Sequence, residues 1–274
     1  MQQRSFHAMG TDIELFVDAD GAERELDAAE GEFHRLEDVL SRFRENSELS
    51  HLNRVGACEV STDLARVVEL ALDARERTGG RFDPTVHDAV VAAGYDRSFE
   101  LVEPDADGTP SSARCGGDLR VNGSRFELDP GVHLDLGGIG KGYTVDRAVE
   151  LLAEAGPCLV NAGGDVAVRG GSWPVGVDGA VTIELSGGGL ATSGRDRRHW
   201  RRSGRELHHL IDPSTGVPAA SDLLRATAVG IDAAEAEVLA KWLFLVGESE
   251  ALASGITCVL VREDGSVRLG GDLS

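Results

Sequence analysis

The sequence predicts an α+β fold with two lobes and a ligand cleft between them. Three observations lead there. An early stretch alternates polar and apolar residues; two long amphipathic helical patterns follow; the carboxyl-terminal half then breaks into short apolar runs punctuated by glycine. That mixture does not follow the regular strand–helix alternation of a parallel α/β sheet.

Thr11 to Val17 (TDIELFV) has the period of two expected of a half-buried strand. From Ala22 to Leu40, the residues Leu26, Ala29, Phe33, Leu36, Val39 and Leu40 recur at helical spacing. A second helix is expected from Asp63 to Thr78, with Thr62 as its cap and Gly79-Gly80 as its stop. Pro104 to Gly117 is rich in Asp, Gly, Ser and Pro and reads as a surface loop. Asp118 to Leu128 reads as a hairpin turning on Asn122-Gly123. The glycine-rich segment LDLGGIGKGYTVDR (134–147) leads into a helix expected from Gly142 to Ala155. Strands are then expected at Cys158–Ala162, Val166–Arg169, Trp173–Val177, Val181–Leu185, Leu207–Ile211 and Ala226–Ile231. A helix from Ala233 to Leu245 and a hairpin around Glu263-Asp264-Gly265 close the chain.

Composition excludes several functions. A net charge of −20 on 274 residues argues against nucleic acid as a partner, because such binding needs a positive footprint. The acidity is spread along the chain, as on a solvated surface or one adapted to salt. No apolar run approaches the ~20 residues of a membrane span, so no membrane insertion is expected. The opening residues MQQRSFHAMG do not resemble a secretory signal, so a cytoplasmic location is expected unless a leader has been removed. Cys58, Cys115, Cys158 and Cys258 are far apart and read as small buried hydrophobes. The basic residues are almost all arginine; Lys141 and Lys241 are the two lysines.

The segment at 134–147 suggests a phosphate cradle but fits neither familiar glycine fingerprint. Asp135 stands where a P-loop needs its first glycine, and Gly142 where it needs a hydroxyl. Gly138-Ile139-Gly140 is followed by Tyr143 where a dinucleotide turn needs glycine. Backbone N–H groups of Gly137, Gly138, Gly140 and Gly142 at a helix start would still attract an anion, and Lys141 adds a positive charge. Downstream, His209-Leu-Ile-Asp212 sets an imidazole near a carboxylate that could orient it or share its proton. Asp83-Pro84, Asp212-Pro213 and Gly163-Gly164 each also have an ordinary reading as turns. Together these segments point to an anionic, phosphorylated ligand beside a His/Asp pair.

The series FHAMGTDIEL, LSRFRENSELSHLN, GGRFDPTV, LDLGGIGKGYTVDRAVELL, LVNAGGDVAVRG, LATSG and HHLIDPSTGVPA, in this order, resembles the FAD:protein FMN transferases of the ApbE family. The matches run from Met9 to about Gly247. The resemblance implies one flavin transferase domain over residues 1–274, with a flavin-binding cleft between its lobes. It further implies cleavage of FAD, release of AMP, and attachment of FMN through a phosphoester to a Thr or Ser of an acceptor flavoprotein. On that resemblance His209 takes the proton of the acceptor hydroxyl and Asp212 orients it or shares the load. Met9, Phe43, Phe82, Asp83, Asp135, Lys141 and Ile211 fall where the family contacts FAD, and Thr192 and Ser193 face the phosphates.

The family's magnesium site implies a carboxylate and a Thr four residues apart on the last long helix, plus a carbonyl from the glycine segment. Here those ligands become Glu237, Lys241 and Gly138. A protonated lysine has no lone pair to offer, so the pattern sets Mg2+ in doubt, although the ion could still bind through Glu237, the Gly138 carbonyl and substrate phosphate oxygens. It suggests instead that the Lys241 ammonium, paired with Glu237, stands in for one metal charge. Two other activities fit the same residues: holding FAD or FMN without transfer, and hydrolysis of FAD to FMN and AMP.

Overall fold

The computed structural model describes residues 1–103, 105–107, 109, 111–179 and 181–273. In chain order, strands β1 (Gln2–Ala8) and β2 (Thr11–Val17) lead into helices α1 (Glu23–Leu40) and α2 (Glu48–Val55). Strand β3 (Ala57–Glu59), helices α3 (Thr62–Arg77) and α4 (His87–Ala92), and strands β4 (Asp105–Ala106), β5 (Leu119–Asn122) and β6 (Arg125–Leu128) follow. Helix α5 (Gly140–Leu152) precedes β7 (Cys158–Ala162), β8 (Asp165–Arg169), β9 (Trp173–Val177), β10 (Val181–Leu185) and β11 (Gly188–Gly194). Next come β12 (His199–Arg202), β13 (Arg205–His208), β14 (Ile211–Asp212), β15 (Val217–Pro218) and β16 (Leu223–Gly230). Helices α6 (Ala233–Val246) and α7 (Glu248–Ala253) and the hairpin β17 (Cys258–Arg262) and β18 (Val267–Gly270) complete the chain. Among the described residues, no helix is long and apolar enough to cross a membrane.

The chain divides into two compact units. The first comprises Met1–Glu37, Ile139–Ser193 and Asp222–Ser274. Its sheet runs β1-β2-β7-β8-β11-β16-β17-β18, and alternation decides which side each residue faces. Cys158, Val160 and Ala162 of β7 join Leu26, Ala29 and Phe33 of α1 and Val145, Ala148, Val149 and Leu152 of α5 in one core. Leu159, between them, faces a second core with Val166 and Val168 of β8, closed by Val175, Val177, Ile183 and Leu185 of the β9–β10 hairpin. The two faces of this sheet therefore carry different cover, helices on one and a hairpin on the other.

The second unit comprises Asp38–Gly138 and Gly194–Ser221. Its core packs Ala89 and Val90 of α4 and the adjoining Ala93 with Tyr95, Trp200, Leu207 and Ile211, and Phe43 lies against them. The Trp200 indole donates to Ala93 O at 2.9 Å, which satisfies its one polar atom.

Several boundaries differ from expectation for local reasons. Ser61, not Thr62, caps α3: its hydroxyl accepts from Leu64 N at 3.3 Å, and Thr62 is already helical. The strand expected at Leu207–Ile211 breaks after His208, because Leu210 N turns to the His208 imidazole at 3.3 Å. Within the expected loop at 104–117, β4 pairs parallel with β12, while Pro104, Gly108 and Pro110 lie outside the described residues. The Asn122-Gly123 hairpin forms as expected, with Asn122 opposite Arg125.

The difference with most consequence is at α5, which starts at Gly140 and so absorbs Gly140-Lys141-Gly142 into its first turn. A Cβ on Gly142 would lie 2.5 Å from Ala233 O, inside contact range of the α6 backbone. Glycine is needed there for the close approach of two helices. The helices also cap each other. Gly142 N donates to Glu237 of α6 at 2.9 Å, and Asp146 of α5 accepts from Ala233 N at 2.8 Å and Ala234 N at 2.9 Å. Each carboxylate thus satisfies N–H groups left open at the other helix's start. Burial pushes the Asp146 carboxyl up to about 7, with the two N–H donors pulling the other way.

A Gly142→Ala variant is expected to lose about 1–3 kcal/mol of stability, as overpacking does. Gly31→Ala, in α1 with open space around its Cβ, should be neutral or slightly stabilising. Urea unfolding midpoints of the two variants check the contrast.

Candidate active site

In the first unit, Met9 and Gly10 form the turn between β1 and β2, both with positive φ (53° and 67°), as a two-residue hairpin turn of this hand requires. Gly163 and Gly164 make the β7–β8 turn, where Ala162 pairs with Asp165. A Cβ on Gly163 would collide with Thr11 Oγ1 at 2.1 Å, and Gly164 N donates to Asn161 Oδ1 at 3.1 Å. This turn delivers Asp165, 3% exposed, to the Lys141 ammonium, with which it makes a hydrogen-bonded ion pair.

Lys141 Nζ also bonds Glu237 Oε1 at 2.7 Å, and Glu237 is 4% exposed. The two buried carboxylates therefore share one ammonium, and Gly142 N takes Glu237 Oε2. Burying such charges is costly unless they are paired, and this arrangement pairs them. The helix start expected to draw in an outside anion already holds one of the protein's own at Gly142. Gly137 N is likewise taken by Asp135 Oδ1 at 2.7 Å. Lys241 sits half-buried on α6 four residues beyond Glu237. Ser193 is buried on β11, and the Thr192 hydroxyl meets that of Thr227 at 2.8 Å.

In the second unit, Asp83 is a buried turn residue. Its Oδ1 accepts from Thr85 N at 2.8 Å and Thr85 Oγ1 at 2.7 Å, while Arg75 Nε approaches Oδ2 at 3.5 Å. The Thr85 hydroxyl in turn accepts from Gly116 N at 2.8 Å. Phe82 and Ile211 are both buried. Asp135 is held by Arg42, with Nε 2.9 Å from Oδ2. The Arg42 guanidinium lies 4.0 Å from the Phe43 ring centroid and 4.5 Å from that of Tyr95, a cation–π arrangement on both. Arg42 Nη2 is buried without a hydrogen-bond partner among the described residues. Sequence reasoning missed Arg42 and Tyr95, and also Asp165 as a partner of Lys141. The signal available for Arg42 was its place beside Phe43 in a chain where arginine is common, which singles out nothing.

His209 and Asp212 are not joined as a pair. His209 Nδ1 lies 3.4 Å from Arg198 O, whereas Asp212 Oδ1 accepts from Ser214 N at 2.9 Å and Ser214 Oγ at 2.6 Å. Asp212 shapes the turn that follows β14. The thiol of Cys115 is pushed up to about 11, chiefly by burial and then by the carboxylates of Asp83, Asp212 and Asp88, so all three act on one locality. Beside His209, His208 is a buried structural histidine. Its Nε2 donates to Ala219 O at 3.1 Å while Nδ1 accepts from Leu210 N, which fixes the neutral tautomer. Burial lowers its pKa to about 4.

A helix-backed eight-stranded sheet with these turn-borne polar groups is the fold of a known class of flavin transferases. The ApbE protein of Thermotoga maritima matches with a TM-score of 0.87 at 26% identity, over 98% of this chain and 96% of that one. The model of the ApbE family matches residues 9–259, and this chain belongs to that family. Proteins named FAD:protein FMN transferase from Treponema pallidum and Haemophilus influenzae are 29% and 30% identical to it. The alignments cover 82% of this chain and 70% of the first protein, and 79% and 72% for the second.

Replacing Lys141 with Met should destabilise the fold by about 3–5 kcal/mol, because it leaves two buried carboxylates without their shared cation. Denaturant unfolding reads the loss, and Glu237→Gln in the same background should recover part of it. For His208, the folded pKa of about 4 lies below the ordinary 6.5, so the unfolded chain binds the proton more readily. Its contribution to stability is present above pH 6.5 and is lost as the pH falls toward 4, by roughly 3 kcal/mol at most. A His208→Gln variant should flatten that part of the stability–pH curve.

Proposed function

We propose that this chain, acting as one flavin transferase domain, transfers FMN from FAD to a hydroxyl of an acceptor protein. The observation that carries the reading is the family match over residues 9–259, which spans all of the expected contact residues. The acceptor is a flavoprotein with a Thr or Ser at the attachment point. Its hydroxyl oxygen attacks the FMN-side phosphorus, the P–O bond to AMP breaks, and AMP leaves with the bridging oxygen. The hydroxyl proton passes to the His209 imidazole. Asp212 acts as a positioning residue, shaping the turn after His209 through Ser214.

Met9, Phe43, Phe82, Asp83, Asp135, Lys141 and Ile211 bind FAD in this reading, with Thr192 and Ser193 toward its phosphates. On the same reading Phe82 and Ile211, both buried, shape the binding wall, and Asp83 holds it in place through its turn bonds. The unpartnered Arg42 Nη2 supplies a further donor for an oxygen of the ligand. Phosphoryl transfer of this kind needs positioning and charge neutralisation more than covalent help.

Magnesium of the family type does not fit this donor set. Glu237 offers its two oxygens to Lys141 and Gly142, Lys241 has no lone pair while protonated, and Gly138 would leave only a carbonyl. The ammonium groups of Lys141 and Lys241 take over the positive charge, so no step is routed through an ion.

The test is incubation with FAD and a candidate acceptor, followed by AMP release and the mass of the acceptor. An added FMN on Ser or Thr is expected, retained in EDTA and reduced by about 10²–10⁴-fold in His209→Ala. A stoichiometric yellow complex without AMP, or AMP without a labelled acceptor, would overturn transfer in favour of flavin binding or FAD hydrolysis. Strict magnesium dependence would overturn the ammonium assignment alone.

A further inference from the structure

Outside the residues assigned to flavin transfer, two imidazoles and a carboxylate converge in the second unit. His87 and Asp88 open α4, and His133 lies on the segment that leads into the glycine-rich stretch. His87 Nδ1 is 2.8 Å from Asp88 Oδ1; His133 Nδ1 is 2.9 Å from Oδ1 and 3.0 Å from Oδ2. One potential ligand atom from each residue lies within 4.8 Å of the other two.

The ordinary explanation is a carboxylate hydrogen-bonded by two imidazoles. That explanation accounts for each contact but not for the way the three groups are supported. Ala89 and Val90 of α4, and Ala93 just beyond it, are buried in the core, which fixes the helix and leaves His87 and Asp88 partly open. The residue after His133 is clamped at both backbone groups. Leu134 N donates to Asn53 Oδ1 at 2.8 Å, and Leu134 O accepts from Asn53 Nδ2 at 2.9 Å. Asp135 N then donates to Pro84 O at 2.8 Å, tying this segment to the one that enters α4. Both ligand-bearing segments are therefore set in place before any ion arrives, and their side chains remain 22–38% exposed.

The two His–Asp88 distances suit a small ion with only slight adjustment, while the two imidazole ligand atoms, within 4.8 Å of each other, draw in around it. In a tetrahedral zinc site with bonds of about 2.0–2.1 Å, neighbouring ligand atoms lie about 3.3 Å apart. The hydrogen-bonded pairs here would need to open by roughly half an ångström or less to reach that spacing. Two neutral imidazoles and one carboxylate leave a single negative charge, and the partial exposure leaves room for a water in the fourth position. Imidazole donors select zinc-class ions over magnesium, so this chemistry is separate from the family's magnesium pattern.

We propose that His87, Asp88 and His133 bind one zinc-class divalent ion, with three protein ligands and one exchangeable position. The ion staples α4 to the segment entering the glycine-rich stretch. Binding of this kind adds to folding stability because the unfolded chain offers no preformed site.

The test uses the whole chain, stripped with chelator and titrated with Co2+ as a visible probe. Expected are one equivalent of bound cobalt with a d–d band, displacement of that band by Zn2+ but not Mg2+, and a Zn2+-dependent rise in Tm. His87→Ala and His133→Ala should each weaken Zn2+ binding by more than about tenfold, the loss typical even for groups that only support a ligand. His133→Gln, with Tm in chelator and circular dichroism as checks on folding, guards against a variant that merely misfolds. No cobalt band, or equal Zn2+ affinity in the folded His87/His133 double variant, would overturn the site.

Discussion

The interaction on which the first unit depends is the ion-paired ammonium of Lys141 between the carboxylates of Asp165 and Glu237. It joins three pieces of chain far apart in sequence: the start of α5, the β7–β8 turn, and the middle of α6. Glu237 continues the connection by accepting from Gly142 N, and Asp146 returns it by accepting from Ala233 and Ala234 N. Two helix starts, each with open N–H groups, are thus closed by carboxylates from the opposite helix. Such an arrangement tolerates little displacement, since any shift leaves a buried charge or donor unmatched.

The same interaction changes the meaning of the glycine-rich stretch. Glycines beside a lysine at a helix start normally suggest an external phosphate. Here Gly142 is required by the nearness of the α6 backbone, and its N–H binds an internal carboxylate. Lys141 is committed to that pair of carboxylates as well. The position of the Lys141 charge is therefore fixed by the fold. A site built around a magnesium ion would instead need carboxylate oxygens available to the metal.

In the second unit, aromatic packing performs the comparable task. Arg42 stacks on Phe43 and Tyr95 and presents its Nε to Asp135, which also receives Gly137 N. Asp83 and Asp212 both shape turns, through Thr85 and Ser214. Carboxylates that look chemical in sequence thus serve to hold the local backbone. His208 and His209 show the converse: two adjacent histidines of one type, one locked neutral in the core and the other half-buried beside Arg198 O.

By itself the sequence determined the periodic elements and the family. Leu26, Ala29 and Phe33 mark a helix face because 3.6-residue spacing is local, and Asn122-Gly123 marks a hairpin because a two-residue turn is local. Ordered motifs from Met9 onward carried the resemblance that the family match over residues 9–259 bears out. Tertiary structure alone decided which charges meet. Lys141 and Glu237 are 96 positions apart, and Arg42 and Asp135 are also distant; no spacing rule joins either pair. Partner choice among buried charges is set by which backbones the core brings together, and that information lies in packing, not in any local pattern.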